Sequence, residues 1–191
     1  MSAAPDSSNT VDAPTAWLVV VTCVFCNATY GSAVTVAGAV LPQIQGDLSV
    51  SLDQISWIVT ASIVAGAIGT PPTPWLASRF SRKNMMVACI ALVTVSSVLI
   101  GTADSLGEMV LWRVMQAFVS APIIPLTQSL MMDAFPAKRR GLCLSLWTIG
   151  ITGGWMLGPS LGTLLVEWGN WRIAFLAFGP LGAMGVVMLP L

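Results

Sequence analysis

Apolar residues run in long blocks along this chain, and the polar residues gather between them. Six blocks, at about 16–42, 55–77, 85–103, 108–132, 141–165 and 172–190, are long and apolar enough to cross a bilayer as helices. Crossing takes about 20 such residues at about 1.5 Å of rise each. The first and fourth blocks exceed that length and hold glycines and prolines. Membrane helices tolerate these, because neighbouring helices can satisfy the freed backbone groups. Ahead of the first block, residues 1–15 are polar and contain neither Lys nor Arg. A secretory signal begins with positive charge, so this stretch reads as a disordered tail.

The connections are short, and their charges segregate. Asp47 and Asp53 lie in the first, Arg79, Arg82 and Lys83 in the second, and Asp104 in the third, with Glu108 opening the next block. Lys138, Arg139 and Arg140 lie in the fourth, and Glu167 in the fifth. The second and fourth connections thus hold six of the eight basic residues. Positive loops resist translocation, which assigns both to the cytoplasm. An even number of spans then brings both termini to that side.

Composition agrees. The chain is 55% hydrophobic and 8% charged, against roughly 25% charged in soluble domains. A net charge of zero offers no field for nucleic acid. Histidine is absent, which removes the commonest metal ligand and general base. Cys23, Cys26, Cys89 and Cys143 have no partners for a zinc site and read as small packing residues. No metal or cofactor is expected. No block holds a deep carboxylate or a Ser–Lys or Cys–His pair, so nothing points to an enzyme.

Two blocks carry small residues at helical spacing. Gly150, Gly154, Gly158 and Gly162 recur at every fourth position, followed at Gly158 by Pro159. This places them on one face, where backbones can approach closely. Ala61, Ala65 and Gly69 repeat the spacing in the second block. The first block has a polar stripe of Asn27, Thr29, Tyr30 and Thr35, with Ser32 three residues after Thr29. Trp17, Trp57, Trp112, Trp168 and Trp171 fall near block ends and read as interfacial belt residues. Trp147 and Trp155 lie deeper and offer aromatic surface to a flat ligand.

Arg113 is the one cation well inside a block, with Gln116 on the same helical face. Two readings stand. The side chain can snorkel back towards Glu108 and the headgroups, about 7.5 Å away along the helix. It can instead face a cavity and act on protons or substrate, as ionisable residues inside spans do. Pro122 and Pro125 interrupt the same block and predict a bend.

Longer stretches resemble a known family. "RVMQAFVSAPIIPLTQSLMMDAFPAKRRGLCLSLW" is similar to the fourth helix and following loop of major facilitator superfamily transporters, with an R-x-x-Q signature. "GITGGWMLGPSLGTLL" resembles the antiporter motif of their fifth helix, "NWRIAF" the opening of the sixth, and "SRFSRK" the basic loop between helices two and three. More narrowly, these stretches resemble the 14-helix drug:proton antiporters of the EmrB/QacA type.

The resemblance implies an all-α six-transmembrane-helix bundle equivalent to the N-terminal half of such a transporter. It implies proton-coupled efflux of amphipathic molecules by alternating access. The substrate and proton path would involve Arg113, Gln116, Thr29, Ser32 and Trp155. The antiporter motif would be Gly150, Gly154, Gly158, Pro159 and Gly162, and the cytoplasmic gating loop Arg79, Arg82 and Lys83. Implied partners are membrane lipid, protons, a second six-to-eight-helix half and a periplasmic adaptor. Ala33 stands where the family carries an Asp, Gly38 where it carries an Asn, and Ala117 where a Gly follows Gln116. Pro74, Ser78 and Ser81 replace Gly, Asp and Gly in the basic loop. The alternative expectation is a non-transporting remnant, or a regulatory partner of a full-length transporter.

Overall fold

The computed structural model describes residues 13–188. Most of the expected tail, at 1–12, lies outside them. Helix α1 (Ala13–Leu48) is 36 residues long and forms the first span. It ends where Ser49 turns to φ 51 and the Val50 N–H returns to the Gln45 carbonyl, a left-handed helix stop.

The second span begins at α2 (Leu52–Gly69), three residues earlier than its apolar block. Ser51 and Gln54 form a capping box that satisfies the first free N–H groups. Pro71 and Pro72 end α2, and the chain resumes as α3 (Thr73–Arg79). The third span is α4 (Arg82–Gly101), capped by the Ser81 hydroxyl. The fourth is split by Pro122 into α5 (Leu106–Ser120) and α6 (Ile123–Ala134). A 3-10 turn (Ala137–Arg139) leads into α7 (Arg140–Glu167), the fifth span. The sixth comprises α8 (Trp171–Leu176), capped by Asn170, and α9 (Phe178–Met188). Six segments are thus long and apolar enough to cross a membrane.

Lipid tails are as apolar as leucine, so burial alone does not join these helices; close packing does. Helix α7 lies along α1 through its glycine face. A Cβ at Gly150 would stand 3.1 Å from the Val24 Cα, and one at Gly154 would stand 2.4 Å from the Ala28 carbonyl oxygen. At Gly158 the obstacles are the Thr35 hydroxyl and Ser32, whose backbone oxygen would be 2.8 Å away, and at Gly162 the obstacle is Val36. The Ser32 hydroxyl crosses the same seam and donates to the Gly154 carbonyl at 2.9 Å. On the other side, α2 meets α5 at Gly69, where a Cβ would lie 2.6 Å from the Phe118 carbonyl oxygen. Pro122 has no N–H to bond that carbonyl, and the glycine gives it room.

Two buried clusters fill the bundle. Cys23, Met86, Leu126, Met131 and Cys143 belong to one, and Val36, Val40, Ile58, Met109 and Phe175 to the other. All four cysteines are buried free thiols. Trp17, Trp57 and Trp168 are exposed. Trp171 departs from the belt expected of it. It is 1% exposed, and its indole N–H donates to Asp47 at 2.7 Å. Asp47, near the end of α1, is the acceptor that holds this indole inward. Beside it, Arg172 bonds the Gly101 and Ala103 carbonyls and pairs with Asp104 at 3.0 Å. The W-R pair therefore fastens the sixth span to the first and third at the acidic-loop end.

Candidate functional site

A cavity of about 600 Å³ lies against α1, α2 and the α5–α6 joint. Val34 and Ile63, 40% and 67% exposed, mark its open side. Its walls are mostly apolar, with hydroxyls from Tyr30, Thr35, Ser62, Thr70 and Ser120. Gly38 opens it further, since a Cβ there would meet nothing within 4 Å. Pro42 also leaves the Gly38 carbonyl without its helical donor.

Arg113 and Gln116 sit in this wall, each 4% exposed. The guanidinium does not reach back to Glu108, whose carboxylate accepts the Asp104 backbone N–H instead. It turns across the bundle to the middle of α1. Nη1 donates to the Ala33 carbonyl at 3.1 Å and to Gln116 Oε1 at 2.7 Å, and Nη2 donates to the Val34 carbonyl at 3.3 Å. Gln116 is held in turn, its Nε2 donating to Ser97 Oγ at 2.7 Å. Arg113 Nε has no partner among the described residues. Phe175 lies beneath the guanidinium, 6.0 Å from ring centroid to Cζ.

Among the described residues, no carboxylate stands in the cavity wall. The described acids, Asp47, Asp53, Asp104, Glu108, Asp133 and Glu167, all lie at or near the ends of the spans. A buried charge is costly unless paired or richly hydrogen-bonded. Arg113 is bonded to neutral oxygens, with no counter-charge in the cavity wall among the described residues.

The other positions singled out in the sequence scatter. Tyr30 and Thr35 reach the cavity, whereas Thr29 lines a small apolar pocket behind Tyr30. Asn27 is fully buried and accepts the Thr127 hydroxyl, which itself accepts the Trp147 indole N–H. Ser32 is committed to the α1–α7 seam. Trp155 is half-exposed outside the cavity, and its indole closes over Gly31. Arg82 pairs with Asp133 at the end of α6, so one residue of the basic loop is tied within this bundle. Arg79 ends α3 and Lys83 lies in the first turn of α4.

A family model described as Major Facilitator Superfamily matches residues 23–191. The chain belongs to the major facilitator superfamily. Among its relatives is the multidrug export protein EmrB of Haemophilus influenzae, 38% identical over 155 residues, or 81% of this chain and 30% of that protein. The fatty acid resistance protein FarB of Neisseria gonorrhoeae is 35% identical over 144 residues, 75% of this chain and 28% of FarB. EmrB of Escherichia coli is 33% identical over 175 residues, 91% of this chain and 34% of that one. This superfamily member thus spans about a third of the length of these relatives.

Solved structures share its fold. The proton:xylose symporter XylE, bound to 6-bromo-6-deoxy-D-glucose, superposes with a TM-score of 0.84 at 14% identity, covering 94% of this chain and 45% of XylE. A bacterial homologue of the human lysosomal transporter Spinster, inward-facing and occupied, gives 0.81 at 22% identity, with 94% and 44% covered. The superfamily bundle is not an enzyme fold, and the chain is an integral membrane protein of a transporter family.

Sequence reasoning missed Ser97 as the anchor of Gln116, and the two α1 carbonyls as the seat of Arg113. Neither leaves a mark in residue type. Ser97 is one of many hydroxyls in the spans, and any residue supplies a carbonyl. Asp133 as the partner of Arg82 was within reach, as an acid one helix end away from a basic loop.

Proposed function

We propose that the chain forms one half of a secondary active transporter that exports amphipathic small molecules by alternating access, driven by protons. The cavity carries this reading: an apolar recess of about 600 Å³, open on one side, with a single buried Arg–Gln pair in its wall. Such a recess suits a bulky ligand that makes few polar contacts. Substrate sites in these folds lie at mid-membrane between two repeats, so this bundle supplies one wall. A second body of six to eight helices, from the same or another chain, supplies the other. The export and resistance functions named for EmrB and FarB favour efflux as the direction.

In this reading Arg113 and Gln116 organise the substrate side, and the glycine seam keeps α1 and α7 moving as one body. The basic second and fourth connections face the cytoplasm, with both termini. Arg79, Arg82 and Lys83 border the cytoplasmic mouth. No acid among the described residues lies where it could trade a proton for substrate, so in this reading the proton-carrying acid belongs to the other body.

The test is efflux. The protein, expressed from its native locus in a strain stripped of other pumps, should lower accumulation of an amphipathic fluorescent probe. A protonophore should restore accumulation. Equal accumulation with and without the protein would overturn the reading. A drop that survives the protonophore would leave export standing and remove the proton coupling.

A further inference from the structure

We propose that the cavity selects amphiphiles with an anionic head and that Arg113 is the selecting residue; this rests on the transporter reading above and names its substrate class. The argument begins with charge. Among the described residues, Arg113 is the only charged side chain in the cavity wall. Its neighbours on every packed element are neutral: the Ala33 and Val34 carbonyls on α1, Gln116 on its own helix, Ser97 behind Gln116 on α4, and the Phe175 ring on α8.

Position 33, where the fork lands on α1, is an alanine, and only its backbone oxygen answers the charge. An unscreened positive charge beside an apolar recess attracts an anion and repels a cation. It does so more strongly than in water, because the surroundings have a low dielectric.

Donor bookkeeping points the same way. A guanidinium has five N–H groups, and three of them bond the oxygens above. The Nε–H and one hydrogen of Nη2 remain. The fork is anchored to α1, and these two donors, of which Nε is buried and without a partner among the described residues, match the two oxygens of a carboxylate. The rest of the ligand would meet an apolar wall with scattered hydroxyls. The match is one compact anionic head on a hydrocarbon or aromatic body.

Two probes with equal tails separate the possibilities: decanoate and decyltrimethylammonium. Ala67 lines the open side of the cavity, and the native cysteines are buried. Alkylation of an Ala67→Cys variant of the full chain in lipid nanodiscs therefore reports occupancy. Decanoate should protect this cysteine at a concentration at least tenfold below that of decyltrimethylammonium. Arg113→Gln should erase the difference, and Arg113→Lys should keep most of it by keeping the charge. The order of the two probes on Arg113-bearing protein decides without those variants, should either fail to fold. Equal protection, or better protection by the cation, overturns anion selection and leaves the cavity as a binding site. Protection by neither probe overturns the cavity reading itself, and this proposal with it.

Discussion

Gly153 and Gly154 are neighbours on α7 with opposite surroundings, and they test the packing argument with the smallest possible change. A Cβ at Gly154 would stand 2.4 Å from the Ala28 carbonyl oxygen and 2.7 Å from its Cα. Both are backbone atoms of α1 and cannot swing aside. Restoring an ordinary contact distance requires the helices to part by about 1 Å, and overpacking of this kind costs about 1–3 kcal/mol. Parting them also stretches the 2.9 Å bond from Ser32 to the Gly154 carbonyl, worth about 0.6 kcal/mol in membrane interiors.

A Cβ at Gly153 meets nothing within 4 Å. Both replacements gain the same helix propensity, up to about 1 kcal/mol for Ala over Gly. Gly153→Ala should therefore be neutral or stabilising, and Gly154→Ala should fall below it by about 1–3 kcal/mol. At about 2–4 °C per kcal/mol for a chain of this size, the gap is readable by thermal unfolding in detergent, with the eight tryptophans as the signal. Equal melting temperatures for the two variants would refute close backbone contact at Gly154. Gly154→Leu should go further and lower the yield of folded protein.

Trp171→Phe keeps the buried ring but loses the donor to Asp47, and should lower stability by about 1 kcal/mol; Asp47→Ala, which removes the acceptor, should couple to it in a double-mutant cycle, and additive effects would deny the bond. The Arg82–Asp133 pair is 46% and 65% exposed, so Arg82→Ala should cost less than about 1 kcal/mol in melting experiments and less still at high salt; a larger loss would make the pair a structural clamp. Arg113→Lys should insert and fold normally yet cut transport at least tenfold, since a point charge cannot hold two α1 carbonyls and Gln116 together; unchanged efflux would reduce Arg113 to a source of charge alone. A cysteine at Arg139 should react with an impermeant maleimide only after cells are opened, and labelling of intact cells would invert the topology.

The spans were legible because bilayer thickness demands a length that few other structures need, and the break at Pro122 because proline removes a helical donor. The break at Pro71–Pro72 was not expected, and Pro42 and Pro159 lie inside unbroken helices. The glycine face of α7 was legible too, as a spacing of four. What it packs against was not, because Val24, Ala28 and Val36 on α1 differ little from their neighbours as residue types. The candidate site was half legible. A lone arginine in an apolar block stands out, but its seat on Ala33 and Val34 lies about 80 positions away and uses backbone atoms. Trp171 misled for a related reason. A tryptophan near a span end suits the interface in general, and only the acceptor on Asp47 turns this one inward.

The contact between Gly69 and the Phe118 carbonyl ties two positions into one inherited unit. Pro122 has no N–H to bond that carbonyl, and its oxygen, with the Ala121 Cβ at 3.0 Å, occupies the space a Cβ at Gly69 would take. A lineage that replaced Pro122 with a residue bearing an N–H would give the carbonyl a helical donor and relax one of the two contacts that hold position 69 to glycine. A lineage that changed Gly69 first would meet the oxygen and lose fitness. The order of substitution is therefore constrained, with position 122 leading and position 69 following. Descendants should carry the glycine and the proline together or have lost the proline first.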